Sequence, residues 1–122
     1  MSIAGRIRTR GTDCAVRRPS TEETDTGERQ TWAAAGTARL LLEPIASEVA
    51  QHVFGTEHRV TLRAFAIAAD ALAELGDGVV VASGAHAGSY RVRGLVPAHR
   101  VGAGAHQELG LVSTPEAMTV SA

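Results

Sequence analysis

Gly76-Asp77-Gly78-Val79-Val80-Val81-Ala82-Ser83-Gly84-Ala85-His86-Ala87-Gly88-Ser89-Tyr90-Arg91-Val92-Arg93-Gly94-Leu95-Val96 is the stretch whose reading decides the fold class. Gly-Asp-Gly supplies the dihedral freedom of a tight turn. The β-branched run after it, Val79 to Ala82, suits a short strand. Ser83 to Gly88 is a second glycine-flanked reversal. From Ser89 to Val96 the pattern alternates, with Tyr90 and Val92 opposite Arg91 and Arg93. That is the signature of a strand with one face buried and one face wet.

Working outward, the same grammar recurs. Toward the C-terminus, Pro97 to Gly104 reads as loop and His106 to Val112 as a last strand with Leu109 and Leu111 together. Ser113 to Ala122 shows no pattern and reads as a tail. Toward the N-terminus, Val60, Leu62 and Ala64 share one face of a strand, and Thr61, Arg63 and Phe65 the other. The alanine-rich Ala66 to Leu75 favours helix by propensity, with an irregular crossover as the alternative. Further back the period changes: Ile45, Val49 and Val53 recur every fourth residue between Pro44 and Gly55, which predicts a short helix. Gln30 to Ala34 and Thr37 to Glu43 read as strand sequence broken at Gly36, and Trp32 is the residue expected to contribute most to the core. Thr12 to Pro19 is a strand with Cys14 and Val16 on one face and Pro19 as its end. Ser20 to Glu28 has the polar, acidic, glycine-bearing chemistry of a loop. Six or seven short strands with one inserted helix point to a sandwich or a barrel.

Composition narrows the function classes. A chain of 122 residues is one domain. Its net charge of -1 offers no global field toward nucleic acid. No apolar run spans a membrane, and the N-terminus lacks a signal-peptide core, so synthesis in the cytoplasm is expected. All twelve basic residues are arginine, so lysine chemistry (a Schiff base or a P-loop) is excluded. Cys14, the single cysteine, makes no internal disulfide and reads as a small buried hydrophobe.

An N-terminal strand ending in Arg18-Pro19, an acidic Asp25-Thr26-Gly27 loop, a strand carrying Trp32, then Leu42-Glu43-Pro44 and a short polar helix follow one another. Glu57-His58-Arg59-Val60-Thr61-Leu62-Arg63, Gly76-Asp77-Gly78-Val79-Val80, and Gly84 leading into Ser89-Tyr90-Arg91-Val92 complete the order. This order, over Arg6 to Leu111, resembles the phage head–tail joining family, the head-closure or stopper proteins of siphophages and gene transfer agents. The chain departs from the family in the histidine-bearing stretch Ala98 to His106 and in its alanine-rich 66–75 connection.

The resemblance implies a mainly β fold: a small β-barrel of about six to seven short strands with one short helix inserted in a long connection. Residues 1–10 would form an N-terminal arm, 11–112 the barrel and 113–122 the tail. It implies a structural virion protein in the neck, one subunit of a self-assembled ring, six by the resemblance. The ring joins portal or adaptor proteins above to the tail terminator or tail tube below, and retains and then passes packaged double-stranded DNA. The connection from Ile45 to Glu57 would face the channel through Ser47, Glu48, Gln51, His52 and Glu57, acidic and neutral groups, and a lysine-free lumen would not trap a passing duplex by counterion release. Arg6, Arg8 and Arg10, with Arg91 and Arg93, are the expected docking or subunit-interface groups, since the guanidinium fork suits carboxylates.

Sharper chemistry lacks its residues. His52, His58, His86, His99 and His106 match no usual metal-ligand spacing. Ser83, Ser89 and Ser113 lack a nucleophile-elbow context, and Asp77 between glycines suits turn geometry. No catalytic residue, cofactor or metal is therefore expected. A small barrel of the OB type binding nucleic acid is the alternative from another class, with Arg91 and Arg93 its only hint, because its stacking platform of aromatics is missing. A tail terminator is the alternative within the particle.

Overall fold

The computed structural model describes residues 3–55, 59–67, 72–96, 106–115 and 117–120. Six antiparallel strands close into a barrel in the order β1-β2-β3-β6-β5-β4. They are β1 (Thr12–Thr24), β2 (Gly27–Pro44), β3 (Leu62–Ile67), β4 (Gly78–Val81), β5 (Gly88–Val96) and β6 (His106–Thr114). Helix α1 (Ile3–Arg10) precedes β1, and α2 (Ser47–Phe54) lies between β2 and β3. The chain is thus the mainly β barrel its strand order predicts, with a helix in the expected connection.

Alternation builds the interior. Cys14 and Val16 from β1, Leu40 from β2, Val92 from β5, and Leu109 and Leu111 from β6 are completely buried. The closed ring leaves no long sheet edge within the barrel proper. Phe65 points away from Leu62 and Ala64 as the period predicts, yet its face is not wet. There it joins Ile7, Leu41 and Ile67 in a second apolar cluster outside the barrel.

That cluster corrects the reading of residues 1–10 as an arm. An isolated helix of eight residues is marginal in water. Burial of Ile7, worth roughly 2–3 kcal/mol over exposure, is what seats α1 on β2 and β3. Gly11 ends the helix by donating its N–H to the Ile7 carbonyl at 2.9 Å.

Three other boundaries move. Pro19 does not end β1, nor is 20–28 a loop: β1 and β2 stay paired to Thr24↔Gly27. The pairing of β1 to β4 stops at Arg17, so beyond it that edge of β1 needs no ladder bonds and a proline is tolerated. The hairpin carries no hydrophobic alternation because neither of its faces is covered. Secondly, the break at Gly36 is a bulge: Val16 opposes Gly36 and Arg17 opposes Ala34, leaving Ala35 extra. Gly36 takes φ 125°, a conformation that residues with a Cβ avoid. Thirdly, Ala66 and Ile67 continue β3 and Leu72 to Glu74 is irregular, so no helix appears in the described part of 66–75.

The tail also folds back. Met118 is buried, and Val120 bridges to Trp32. Trp32 lies on the outer wall, not in the barrel core. Met118 and Trp32 both stand over Gly78, where a Cβ would collide with them.

Candidate functional site

The register separates the barrel into two ends. At one lie the β2–β3 connection with α2, the turn 83–87, and the junction of α1 with β1. At the other lie the β3–β4 connection and the projecting β1–β2 hairpin.

At the first end, α2 starts after Ala46 and stops at Gly55, whose φ of 90° suits glycine and whose N–H bonds to the Gln51 carbonyl at 3.0 Å. The predicted stripe is only partly correct. Ala50 is buried and Val53 and Phe54 are half-buried, but Val49 is 45% exposed. Phe54 takes the docking role that periodicity assigned to Val49, because its ring fits over Gly94 and Gly110, which face each other across β5 and β6. Of the residues expected to face a channel, Glu48, Gln51 and His52 are exposed on α2. Ser47 is the first residue of the helix, and Glu57 falls outside the described residues.

The second end is held by a buried carboxylate whose role goes beyond the turn geometry its flanking glycines suggest. Asp77 is 2% exposed. It accepts hydrogen bonds from Arg18 Nε at 3.2 Å and Arg18 Nη2 at 2.9 Å, and from the Glu74 backbone N–H at 2.9 Å. Arg18 Nη2 also donates to the Leu72 carbonyl at 3.2 Å. The hydrogen bond and charge of Asp77 hold the Arg18 guanidinium above its ordinary pKa. The fork therefore ties the base of the hairpin to the β3–β4 connection. The sequence signal for this tie is the pair Arg17-Arg18 in a strand, together with a single aspartate set between glycines in Gly76-Asp77-Gly78.

Below this tie, every residue from Ser20 to Gln30 is exposed. Glu22 and Arg29 pair at 2.7 Å across the ribbon, while Glu23 and Glu28 stand directly opposite each other.

The arginines expected to dock divide into two groups. Arg6 is engaged within the chain, pairing with Glu43 at 3.2 Å, and Arg63 reaches the other oxygen of that carboxylate at 3.4 Å. Arg91 lies 4.5 Å over the Trp32 ring and donates to Gln30 Oε1 and the Gly76 carbonyl. Arg8, Arg10 and Arg93 are exposed. Among the histidines, His52, His86 and His106 lie on α2, in the 83–87 turn and at the start of β6, respectively. His58 and His99 fall outside the described residues. Cys14 is buried as expected, and burial, with the Asp13 charge adding to it, pushes its thiol up to about 11.

No protein-family model and no curated protein matches this sequence. Among solved structures, the chain is similar in fold to the solution structure of protein SF1141 from Shigella flexneri 2a. The match has a TM-score of 0.61 at 15% identity, over 87% of this chain and 94% of the other. At that identity the likeness concerns the fold alone.

Proposed function

We propose that this barrel is a subunit of a head–tail connector, a head-closure ring between portal or adaptor and tail in a tailed bacteriophage or related particle. The ring retains packaged double-stranded DNA and then lets it pass. The observation that carries the reading is α2. It is docked on the barrel wall by Ala50 and Phe54 and turns Glu48, Gln51 and His52 outward, with no arginine on the helix. The outward side chains of α2 offer a passing duplex no guanidinium, so the helix itself releases no condensed counterions and does not hold the DNA. Two unlike ends on one barrel also suit head-to-tail contacts, which close into a ring by rotation.

Cryo-EM reconstruction of the neck tests this directly, and mass photometry of the purified protein with portal and adaptor tests it in solution. The expected result is a closed ring below the portal with residues 45–57 toward the channel. A ring found instead at the top of the tail tube would make the protein a tail terminator. A monomer that ignores both partners and binds single-stranded DNA in a salt-sensitive way would make it an OB-type barrel and overturn the proposal. The covering of Trp32 by Arg91 speaks against that outcome, because a stacked-on indole is not free for a base.

A further inference from the structure

The β1–β2 hairpin beyond Arg18–Ala33 is a two-stranded ribbon without an apolar residue from Ser20 to Gln30. A ribbon of that kind has little stability of its own. It also carries four carboxylates, Glu22, Glu23, Asp25 and Glu28, against the single Arg29. Arg29 pairs with Glu22, so the other three carboxylates have no cation among the described residues. Glu23 and Glu28 make matters worse, since they are a directly opposed cross-strand pair of like charge. The arrangement calls for a cation placed between them.

The barrel holds such cations at its other end. Arg8 and Arg10 close α1, Arg59 precedes β3, and all three are exposed with no side-chain partner among the described residues. They cannot reach the hairpin of their own chain. β1 has 13 residues, and at ~3.3 Å per residue it sets roughly 40 Å between Gly11 and the hairpin turn. Charges that far apart are screened from each other at ordinary ionic strength.

We infer that the acidic hairpin of one copy docks on the arginine-bearing end of a second copy of this chain, with Arg8 or Arg10 of that copy set between Glu23 and Glu28. The contact joins unlike surfaces, so it repeats head to tail. It supplies the subunit interface for the connector ring and rests on that reading for its role, though not for its chemistry. An entirely polar ribbon allows no apolar docking, so the contact is held by guanidinium–carboxylate pairs and is sensitive to salt.

Two charge-reversed proteins test it: a hairpin variant, Glu23→Arg with Glu28→Arg, and a helix variant, Arg8→Glu with Arg10→Glu. Sedimentation velocity at low and high salt reads the association state, and far-UV circular dichroism checks that each variant is folded. The wild type is expected to self-associate at low salt, and each variant alone to bind its own copies at least about tenfold more weakly, because like charges now meet. An equimolar mixture of the variants is expected to associate again, since every contact in an alternating assembly is complementary; that recovery also shows that neither variant failed merely by unfolding. A wild type that stays monomeric at low salt, variants that associate as well as the wild type, or a mixture that does not recover would each overturn the inference. The two readings fail separately. Self-association that follows the charges without binding portal or adaptor leaves the interface standing and removes the neck. A neck ring that assembles equally well with either variant does the opposite.

Discussion

Phe54 occupies the space over Gly94 in which a side chain would otherwise stand. A Cβ on Gly94 would lie 2.7 Å from Phe54 Cγ and 2.8 Å from its Cβ, and one on Gly110 would lie 2.9 Å from the same Cγ. The two glycines form a shallow seat on the outer wall of β5 and β6, and the last residue of α2 fills it. This contact anchors the connection through which the connector reading runs.

Gly94→Ala is therefore expected to lift Phe54 off the wall and loosen α2 while leaving the barrel closed. The cost is roughly 1–3 kcal/mol, typical of overpacking, and protease cleavage within residues 45–55 should quicken. The control is Phe54→Ala, which removes the obstacle. In that background Gly94→Ala should cost much less, and the coupling between the two sites is read from the double-mutant cycle. Additive effects would mean that the seat does not hold the helix.

Asp77 closes the other end of the barrel. Asp77→Ala strips acceptors from both Arg18 nitrogens and from the Glu74 N–H. Urea denaturation should show a loss of about 2–3 kcal/mol, the scale for a buried polar network left without a member. A loss under about 0.5 kcal/mol, the size of an ordinary surface substitution, would show that solvent replaces the carboxylate and that the tie is not structural.

Where a strand buries at least one face the sequence announced it, and where it buries neither the sequence did not. Tyr90 and Val92 against Arg91 and Arg93 in β5, and Leu109 with Leu111 in β6, gave strand and face together because a closed barrel imposes period two. The hairpin was unreadable for the opposite reason: from Ser20 to Gln30 both faces are wet, and a ribbon in water carries the same residues as a loop. Trp32 lies outside the core because the bulge opposite Val16 and Arg17 shifts the register by one residue, and such a shift reverses which face a side chain takes. The Phe54 seat was hidden because its signal is an absence: two glycines, far apart in sequence, leave room for one ring.

Trp32 reports on the folded-back C-terminal segment. It is the single tryptophan, buried to 7% exposure. Met118 is packed beside it over Gly78, and the Met118 carbonyl accepts a hydrogen bond from Arg17 Nε at 3.3 Å. Met118→Ala, or removal of residues 115–122, should expose the indole, red-shift its emission and raise its quenching by iodide. The barrel core should keep its circular dichroism, because Met118 lies outside it. An unchanged emission maximum after truncation would show that Arg91 and the strand wall cover Trp32 without help from the tail.

Cys14 makes stability depend on pH in an alkaline window. Burial pushes its thiol from an ordinary value near 9 up to about 11, with the Asp13 charge adding to the shift. The unfolded chain loses this proton first, near pH 9, while the native thiol keeps it until about pH 11. Between those values the native state binds more protons than the unfolded state, so its stability falls as pH rises. Below pH 9 the contribution is complete, and above pH 11 it is gone. The chain contains no lysine, which removes the side chains that usually obscure this range. Urea unfolding of wild type and Cys14→Ala at pH 8 and pH 11 separates the effect. The difference between the two proteins should change by about 1–2 kcal/mol across the window, allowing for partial solvation of the thiolate. The same burial should keep Cys14 unreactive toward iodoacetamide at pH 8 until the barrel opens. Rapid alkylation of the native protein, with no pH-dependent gap between the two unfolding curves, would place the thiol in contact with water and remove it from the packed interior.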